Sequence, residues 1–151
     1  MSSGGAVGKQ VLSQTKLVDL EVAWRERELE AAALKAAGHA AMALALRLYC
    51  VEIRIKTIIC KHLTVASLPV ACKTHNLEEL LIFTGLWAEL LDPNKLAIKN
   101  NWDEIAGFSF RNLNEMRYLP ANSVPATEIL KVETALDDPT NGVWPWLSSH
   151  P

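Results

Sequence analysis

The chain has 151 residues, half of them apolar, and a formal net charge of −2 at pH 7. This near-neutral balance excludes a protein that binds nucleic acid through overall positive charge, and leaves only a local basic patch for that purpose. One domain is expected, because a chain of this length buries roughly 68–70% of its unfolded surface. The first residues contain no apolar segment of the kind that directs secretion, and charges interrupt the main apolar run. We therefore expect a cytoplasmic protein without a membrane span.

The cysteines are Cys50, Cys60 and Cys72, an odd set without the close pairing of zinc ligands. Two of them fall within the main apolar run of the chain. We interpret all three as reduced thiols of the core. The sequence indicates no metal site and no cofactor.

The N-terminal part of the chain divides into a tail and a first helix. Residues 1–14 are rich in Gly and Ser and predict a flexible tail, which leaves residues 15–151 as a single domain. The first helix is predicted from about Lys16 to Ala37, with a charged side that faces solvent. Its opposite side predicts a core face made of Val18, Val22, Leu29, Ala33 and Ala36.

The second predicted helix, Ala40–His62, is apolar on most of its circumference. Gly38 marks the joint before it. A helix of this kind must be buried on several sides, so it forms either the centre of a bundle or the seam of a dimer. We expect a homodimer through this helix.

Capping signals predict two further helices. Thr74 or Asn76 caps a third helix, which packs through its leucines and ends near Asp92. The segment Asn101 to Glu104 has the form of a capping box, in which a cap residue is followed three positions later by Glu. It predicts a short helix over residues 102–108.

Proline and tryptophan residues organise the C-terminal part. Pro125 suits a first helical turn and predicts a last helix over residues 126–136. The tail beyond it contains Trp144 and Trp146, which are seldom left in water, so we expect this tail to dock on the bundle or on a partner. No strand pattern persists anywhere. The predicted fold class is therefore all-α, an antiparallel bundle of four to five main helices.

Three short motifs follow one another along the chain. Tyr49, Glu52 and Lys56 fit a pattern of aromatic, x, x, Glu, x, x, apolar, Lys. His75 then begins a His, x, Leu, x, x, Leu pattern, and Arg117-Tyr118 follows a helix that contains tryptophan. In this order the motifs resemble the HEPN family (higher eukaryotes and prokaryotes nucleotide-binding domain).

The resemblance implies a helical bundle, usually dimeric, from prokaryotic defence, toxin–antitoxin or RNA-processing systems. Many members of the family are metal-independent ribonucleases in which an Arg holds the phosphate and a His, a few residues later, moves a proton from the 2′-hydroxyl. No Arg of this chain has a His at the family's spacing. The departure favours a non-catalytic member.

Charged residues of the second helix have two interpretations each. Glu52 and Lys56 lie four residues apart and either contact a ligand or form a structural ion pair. Arg47, Arg54 and Lys61 recur every seven residues as a basic stripe. The stripe either follows a phosphate backbone or extends from a buried helix to its solvent edge.

The other candidate residues lie in the motifs and near helix ends. Arg117 and Tyr118 either bind a ligand or anchor the bundle. His75 is either a general acid–base or a group that caps its helix, and His62 is favoured at the end of its helix by the helix dipole.

Two functions from different classes follow. The first is a binding or assembly module for a nucleotide, RNA or a partner protein, with ligand contacts from Arg47, Glu52, Arg54, Lys56, Arg117 and Tyr118. The second is a ribonuclease toxin with a non-standard site. That site is formed either by Arg54, Lys56 and His62, or by His75 brought near Arg117.

Overall fold

The computed structural model describes residues 14–151, so the predicted tail, apart from Gln14, lies outside the described residues. Within that range the fold is all-helical, as predicted, and its β-pairing is limited to one bridge between Lys16 and Ser67. The α-helices are α1 (Leu17–Ala36), α2 (Ala40–His62), α3 (Leu77–Ile82), α4 (Trp87–Leu90), α5 (Leu96–Phe108), α6 (Asn114–Met116), α7 (Ala126–Asp137) and α8 (Val143–Ser148). A π-helical turn, Ser109–Leu113, connects α5 to α6. Single 3-10 turns lie at Val70–Cys72, Pro93–Lys95 and Ala121–Ser123.

Helix α2 is the centre of the bundle. It contacts α1, α3, α6, α7 and α8, and the side chains of Leu48, Val51, Ile55 and Ile59 are fully buried. Most of the apolar surface of this helix is therefore covered within one chain, although Met42 is 41% exposed. A dimer of the kind predicted through α2 would have to use residues of α2 that remain exposed, or a different surface.

Helix α1 packs mainly against α2. The turn that connects the two helices contains Gly38, which has a φ of +89°. The predicted core face of α1 is wrong: Val18 is 68% exposed and Leu29 is 73% exposed, whereas Leu20 and Ala31 are buried. The helix is apolar on two sides, and the side that packs is the one that also carries Trp24. The ring of Trp24 lies against the Trp144 ring, with centroids 5.7 Å apart.

The predicted third helix is divided into α3 and α4. Its predicted cap is present, because Oδ1 of Asn76 accepts hydrogen bonds from the backbone N–H groups of Glu78 and Glu79, at 3.0 and 3.1 Å. The break lies at Gly85, which has a φ of +78°. A Cβ atom at this position would lie 2.9 Å from Cε1 of His62. The left-handed backbone of Gly85, which lies against the ring of His62, therefore separates α3 from α4 within the helix that was predicted to continue to Asp92.

The predicted capping box at residues 101–104 is wrong. Helix α5 begins at Leu96, after a turn capped by Oδ1 of Asp92, which accepts a hydrogen bond from the Asn94 N–H at 2.9 Å. Asn101 lies inside the helix and donates its side-chain N–H to the Asn141 carbonyl at 2.9 Å. Its side chain therefore joins α5 to the turn before α8.

Helices α7 and α8 complete the bundle. Helix α7 begins directly after Pro125, as predicted, and ends at Asp137. The C-terminal tail docks on its own chain through α8, where Trp146 is buried and donates its Nε1–H to Oε1 of Glu89 at 2.9 Å. The two tryptophans of the tail therefore dock on the helical bundle of their own chain. Across residues 14–151, none of the helices has the length and apolarity that a membrane crossing requires.

Candidate functional site

A cleft of about 690 Å³ lies beside α2. The segment 74–78, which leads into α3, forms the first wall of the lining, and residues 106–117, from the end of α5 through the π-helical turn to the residue after α6, form the second wall. Tyr49 of α2 lines the space between them. The cleft thus lies where the three sequence motifs meet, because it includes Tyr49, His75 and Arg117.

A buried ion pair supports the first wall. Glu52 is 7% exposed and Lys56 is 8% exposed, and Nζ of Lys56 lies 3.1 Å from Oε2 of Glu52. Buried charges of this kind persist when they are paired. The second oxygen of the same carboxylate, Oε1, lies 3.0 Å from Nδ1 of His75. Glu52 therefore connects the core of α2 to the rim of the cleft.

His75 projects from this support into solvent, with a side chain that is 87% exposed. Because a carboxylate only accepts hydrogen bonds, Nδ1 carries the proton in this contact, and in the neutral ring Nε2 is left as an acceptor. The loop around it is held by Thr74, whose Oγ1 accepts a hydrogen bond from the Asn76 N–H at 3.2 Å. This arrangement can fix a histidine for ligand binding or for proton transfer.

The second wall, residues 106–117, contains the π-helical turn. Ser109 and Leu113 of this turn are buried, while Phe110 faces outward at the cleft. Short π-helical turns occur often at functional sites, because the additional residue changes the direction of neighbouring side chains. Residues 111–124 have no predicted element, so this wall was not expected from the sequence.

Arg117 lies at the end of the same wall. Its Nε donates a hydrogen bond to the Asn114 carbonyl at 3.1 Å, and a terminal nitrogen contacts Oδ1 of Asn114. The guanidinium carbon lies 5.3 Å from the centre of the Tyr118 ring, and Tyr118 itself is exposed. Arg117 forms no ion pair with any residue of the range 14–151, so its charge is directed to solvent and to the cleft.

The basic stripe of α2 lies outside the cleft and is bound within the chain. Arg47 forms two hydrogen bonds with the Asp137 carboxylate, at 2.6 and 3.1 Å. Arg54 is buried and donates to Oγ1 of Thr57 and to the His150 carbonyl, each at 3.1 Å. Burial lowers the pKa of the Arg54 guanidinium. These two arginines hold the C-terminal part of the bundle.

The set Arg54, Lys56 and His62 is not brought together. Lys56 is bound to Glu52, and the ring of His62 packs on Gly85. The positions of Arg54 and His62 are about 12 Å apart along α2, at 1.5 Å per residue. Of the two predicted ribonuclease sites, only the pair of His75 and Arg117 shares a cleft.

Lys61, the last residue of the basic stripe, forms an ion pair with Glu21 of α1. Partial burial acts to raise the pKa of Glu21, but hydrogen bonds from Lys61 and Trp24 outweigh it, and the pKa lies below its ordinary value. The folded state therefore binds fewer protons at Glu21 than the unfolded state, where the pKa is about 4.3. Its contribution to stability is present above that value and is lost as the pH falls through the folded pKa.

We expect Glu21→Gln to reduce the dependence of stability on pH. The wild-type chain will lose part of its unfolding free energy between about pH 5 and pH 3, and the variant will lose less. Urea denaturation followed by circular dichroism at both pH values measures the difference. An equal loss in the two proteins would contradict this account of the ion pair.

Comparison with known proteins does not assign the chain. No protein-family model, no curated protein and no solved structure matches it. Among residues 14–151, no group of three or more His, Cys, Asp or Glu side chains could hold a metal ion.

Proposed function

We propose that the chain is a non-catalytic, HEPN-like binding module whose cleft takes a nucleotide or the nucleotide units of RNA. The observation that carries the proposal is that His75 and Arg117, which are 42 residues apart in the sequence, line one cleft together with the exposed aromatic residue Phe110. We further propose that the module acts in the cytoplasm, in a prokaryotic defence or toxin–antitoxin system. These assignments of context rest on the resemblance of the three motifs.

The charges around the cleft support an anionic ligand. Lys56 neutralises Glu52 behind the cleft, and the ionisable groups of the lining itself are Tyr49, His75, Glu78 and Arg117, of which Arg117 is the permanent cation. The guanidinium of an arginine binds phosphate through two parallel hydrogen bonds, and its charge is permanent. A phosphate placed between Arg117 and the Nε2 side of His75 would have a donor on one wall and a titratable partner on the other.

The size and lining of the cleft support a ligand with a flat ring. Sites for small molecules occupy about 300–1,000 Å³ and combine apolar or aromatic walls with few polar groups. Tyr49, Leu77 and Phe110 supply the apolar and aromatic part here, and Asn76 and Asn114 supply amide groups. A nucleobase has this combination of a flat face and polar edges.

A binding titration tests the proposal. We expect a fluorescein-labelled octauridylate to bind the purified chain, with an increase in fluorescence anisotropy. Arg117→Gln will weaken the binding about tenfold, which corresponds to 1.4 kcal/mol. Arg25→Gln removes the same charge from α1, which has no residue in the cleft lining, and serves as the matched control. Absence of binding, or equal weakening by both variants, would contradict the proposal.

A second candidate function is favoured by the contact between Glu52 and His75. A histidine that is oriented by a buried carboxylate is suited to general base catalysis. In a metal-independent ribonuclease, His75 would take the 2′-hydroxyl proton while the 2′-oxygen bonds to phosphorus. The bond to the 5′-oxygen would break, the leaving 5′-oxygen would take a proton from water, and Arg117 would hold the phosphate.

The two functions give different products. A ribonuclease would cleave the octauridylate in the presence of EDTA to a 2′,3′-cyclic phosphate, and His75→Ala would abolish cleavage while His62→Ala would retain it. That result would replace the binding module as the main function. Binding without cleavage would leave the binding module and exclude this reaction on the RNA tested.

We also propose that the module is a homodimer, through α1. The exposed residues Val18, Val22 and Leu29 are spaced by four and seven residues, the spacing of a helix–helix seam. A second copy of α1 would cover them. Sedimentation will give twice the mass of the chain for the wild type, and Leu29→Glu will give a monomer; a monomeric wild type would exclude this dimer.

A further inference from the structure

Phe110 is the most exposed large apolar residue at the cleft. Its side chain lies on the π-helical turn and is 82% exposed, although its neighbour Ser109 is buried. Single exposed apolar residues are common on protein surfaces. Phe110 differs from those because it lines the cleft. An aromatic face at the edge of a polar cleft is a surface on which a flat ring can stack.

Arg111 follows Phe110 in the π-helical turn and carries a positive charge next to the cleft, although its side chain is not part of the cleft lining. A Cβ atom added at Gly107 would lie 2.9 Å from a terminal nitrogen of Arg111, so the guanidinium lies over the wall at Gly107. Gly107 leaves room for this approach because it has no side chain. Within residues 14–151, Arg111 forms no ion pair and no hydrogen bond through its side chain. Its charge is therefore available to a ligand.

The guanidinium groups of Arg111 and Arg117 lie beside different residues of the cleft lining. The guanidinium of Arg111 lies at the level of Gly107, whereas that of Arg117 is held at Asn114. These positions are seven residues apart, and the π-helical turn lies between them. Two phosphates of one strand can therefore take one guanidinium group each.

We propose that Phe110 and Arg111 form a second subsite, in which Phe110 stacks on an unpaired base and Arg111 binds a phosphate next to it. The inference rests on the proposed function and specifies its ligand as single-stranded RNA of at least two nucleotides. The bases of a duplex are stacked on each other and cannot present a face to Phe110. Aromatic stacking combined with arginine contacts to the backbone is the usual way in which proteins bind single strands.

Binding of three ligands to the wild-type chain tests the class of the ligand. Fluorescein-labelled octauridylate will bind at least tenfold more tightly than uridine monophosphate, which competes at only one subsite. An octanucleotide RNA duplex will bind more weakly than the single strand. Equal affinity for the duplex and the single strand, or for the monophosphate and the octauridylate, would overturn the second subsite.

Substitutions of Phe110 test the stacking contact. Phe110→Ala will weaken octauridylate binding about tenfold, the size of one lost base stack, and Phe110→Trp will restore it. The exposed position predicts unchanged thermal stability for both variants. Phe83→Ala, which removes an exposed phenylalanine outside the cleft lining, is the matched control and will bind like the wild type.

The dependence of binding on salt tests Arg111. Arg111→Gln will lower the slope of log K against log salt concentration by about 0.7, the value for one phosphate contact with a single strand. Loss of affinity in Arg117→Gln with wild-type binding in Phe110→Ala and Arg111→Gln would overturn the second subsite and leave the proposed function in place. Absence of RNA and nucleotide binding in the wild type would overturn both, and would favour a protein partner for this surface.

Discussion

Glu52→Ala will lower the free energy of unfolding by about 3–5 kcal/mol. The substitution leaves the ammonium group of Lys56 without its partner in a site where Lys56 is only 8% exposed. It also removes the carboxylate that holds Nδ1 of His75. Because domains of this size have unfolding free energies of about 5–15 kcal/mol, the loss is a large part of the total. Urea denaturation at pH 7 measures it.

The double substitution Glu52→Leu with Lys56→Met is the control for this prediction. Two apolar side chains of similar volume leave no buried charge, so the double variant will recover most of the lost stability. His75→Ala will change stability little, because the side chain is largely exposed. A loss below about 1 kcal/mol in Glu52→Ala, with no recovery in the double variant, would contradict the description of the pair as a buried support.

Trp102→Ala will lower the free energy of unfolding by about 3–5 kcal/mol through the cavity that it leaves. Trp102 lies on α5, which carries one wall of the cleft, and none of its side chain is exposed. The same urea denaturation measures the effect. Loss of this packing loosens α5, so we also expect weaker binding in the cleft.

Trp102→Phe separates packing from hydrogen bonding. The indole Nε1 of Trp102 makes no hydrogen bond within the range 14–151, so phenylalanine removes volume without removing a polar contact. The Phe variant will therefore lose much less stability than the Ala variant. Equal losses in the two variants would contradict the assignment of the effect to cavity volume.

Some of the fold could be predicted because the signals are local. The bounds of the central helix, Ala40–His62, agree with the structure, since Gly38 precedes a long, mostly apolar run that contains no Gly or Pro. Pro125 predicts the start of α7 through its fixed φ, and Asn76 predicts the start of α3 through its side-chain cap. These features depend on a few neighbouring residues and little on tertiary contacts.

Other features depend on contacts between distant parts of the chain. Helix α1 has apolar residues on two sides, and the contact of Trp24 with Trp144 selects the side that is buried. The residues 101–104 satisfy the pattern of a capping box, but Asn101 finds its partner at Asn141. Trp144 and Asn141 lie far along the chain from Trp24 and Asn101, so a local sequence pattern includes neither partner.

The site was predicted in part. The motifs name Glu52, Lys56, His75 and Arg117, and the structure brings these residues to the cleft or to its support. Arg47 and Arg54 form a basic stripe by spacing alone, whereas in the folded chain they are bound to Asp137 and to the His150 carbonyl.

Phe110 and Arg111 were not predicted as site residues, because the π-helical turn that directs them has no recognisable sequence pattern. A continuous helix through residues 96–116 would have placed Gly107, Arg111 and Asn114 on one face, at spacings of four and three residues. Because a helix end was predicted near Phe108, the shared face of these three residues could not be recognised from the sequence.

We propose that the ligand binds in the cleft between segment 74–78 and the π-helical wall. Mapping of amide chemical shifts in ¹⁵N-labelled protein during titration with unlabelled octauridylate tests it most directly. The account predicts that the largest changes fall in residues 74–78 and 107–117. Changes centred instead on the open groove beside Asn100 and Lys131, or no changes at all, would contradict it.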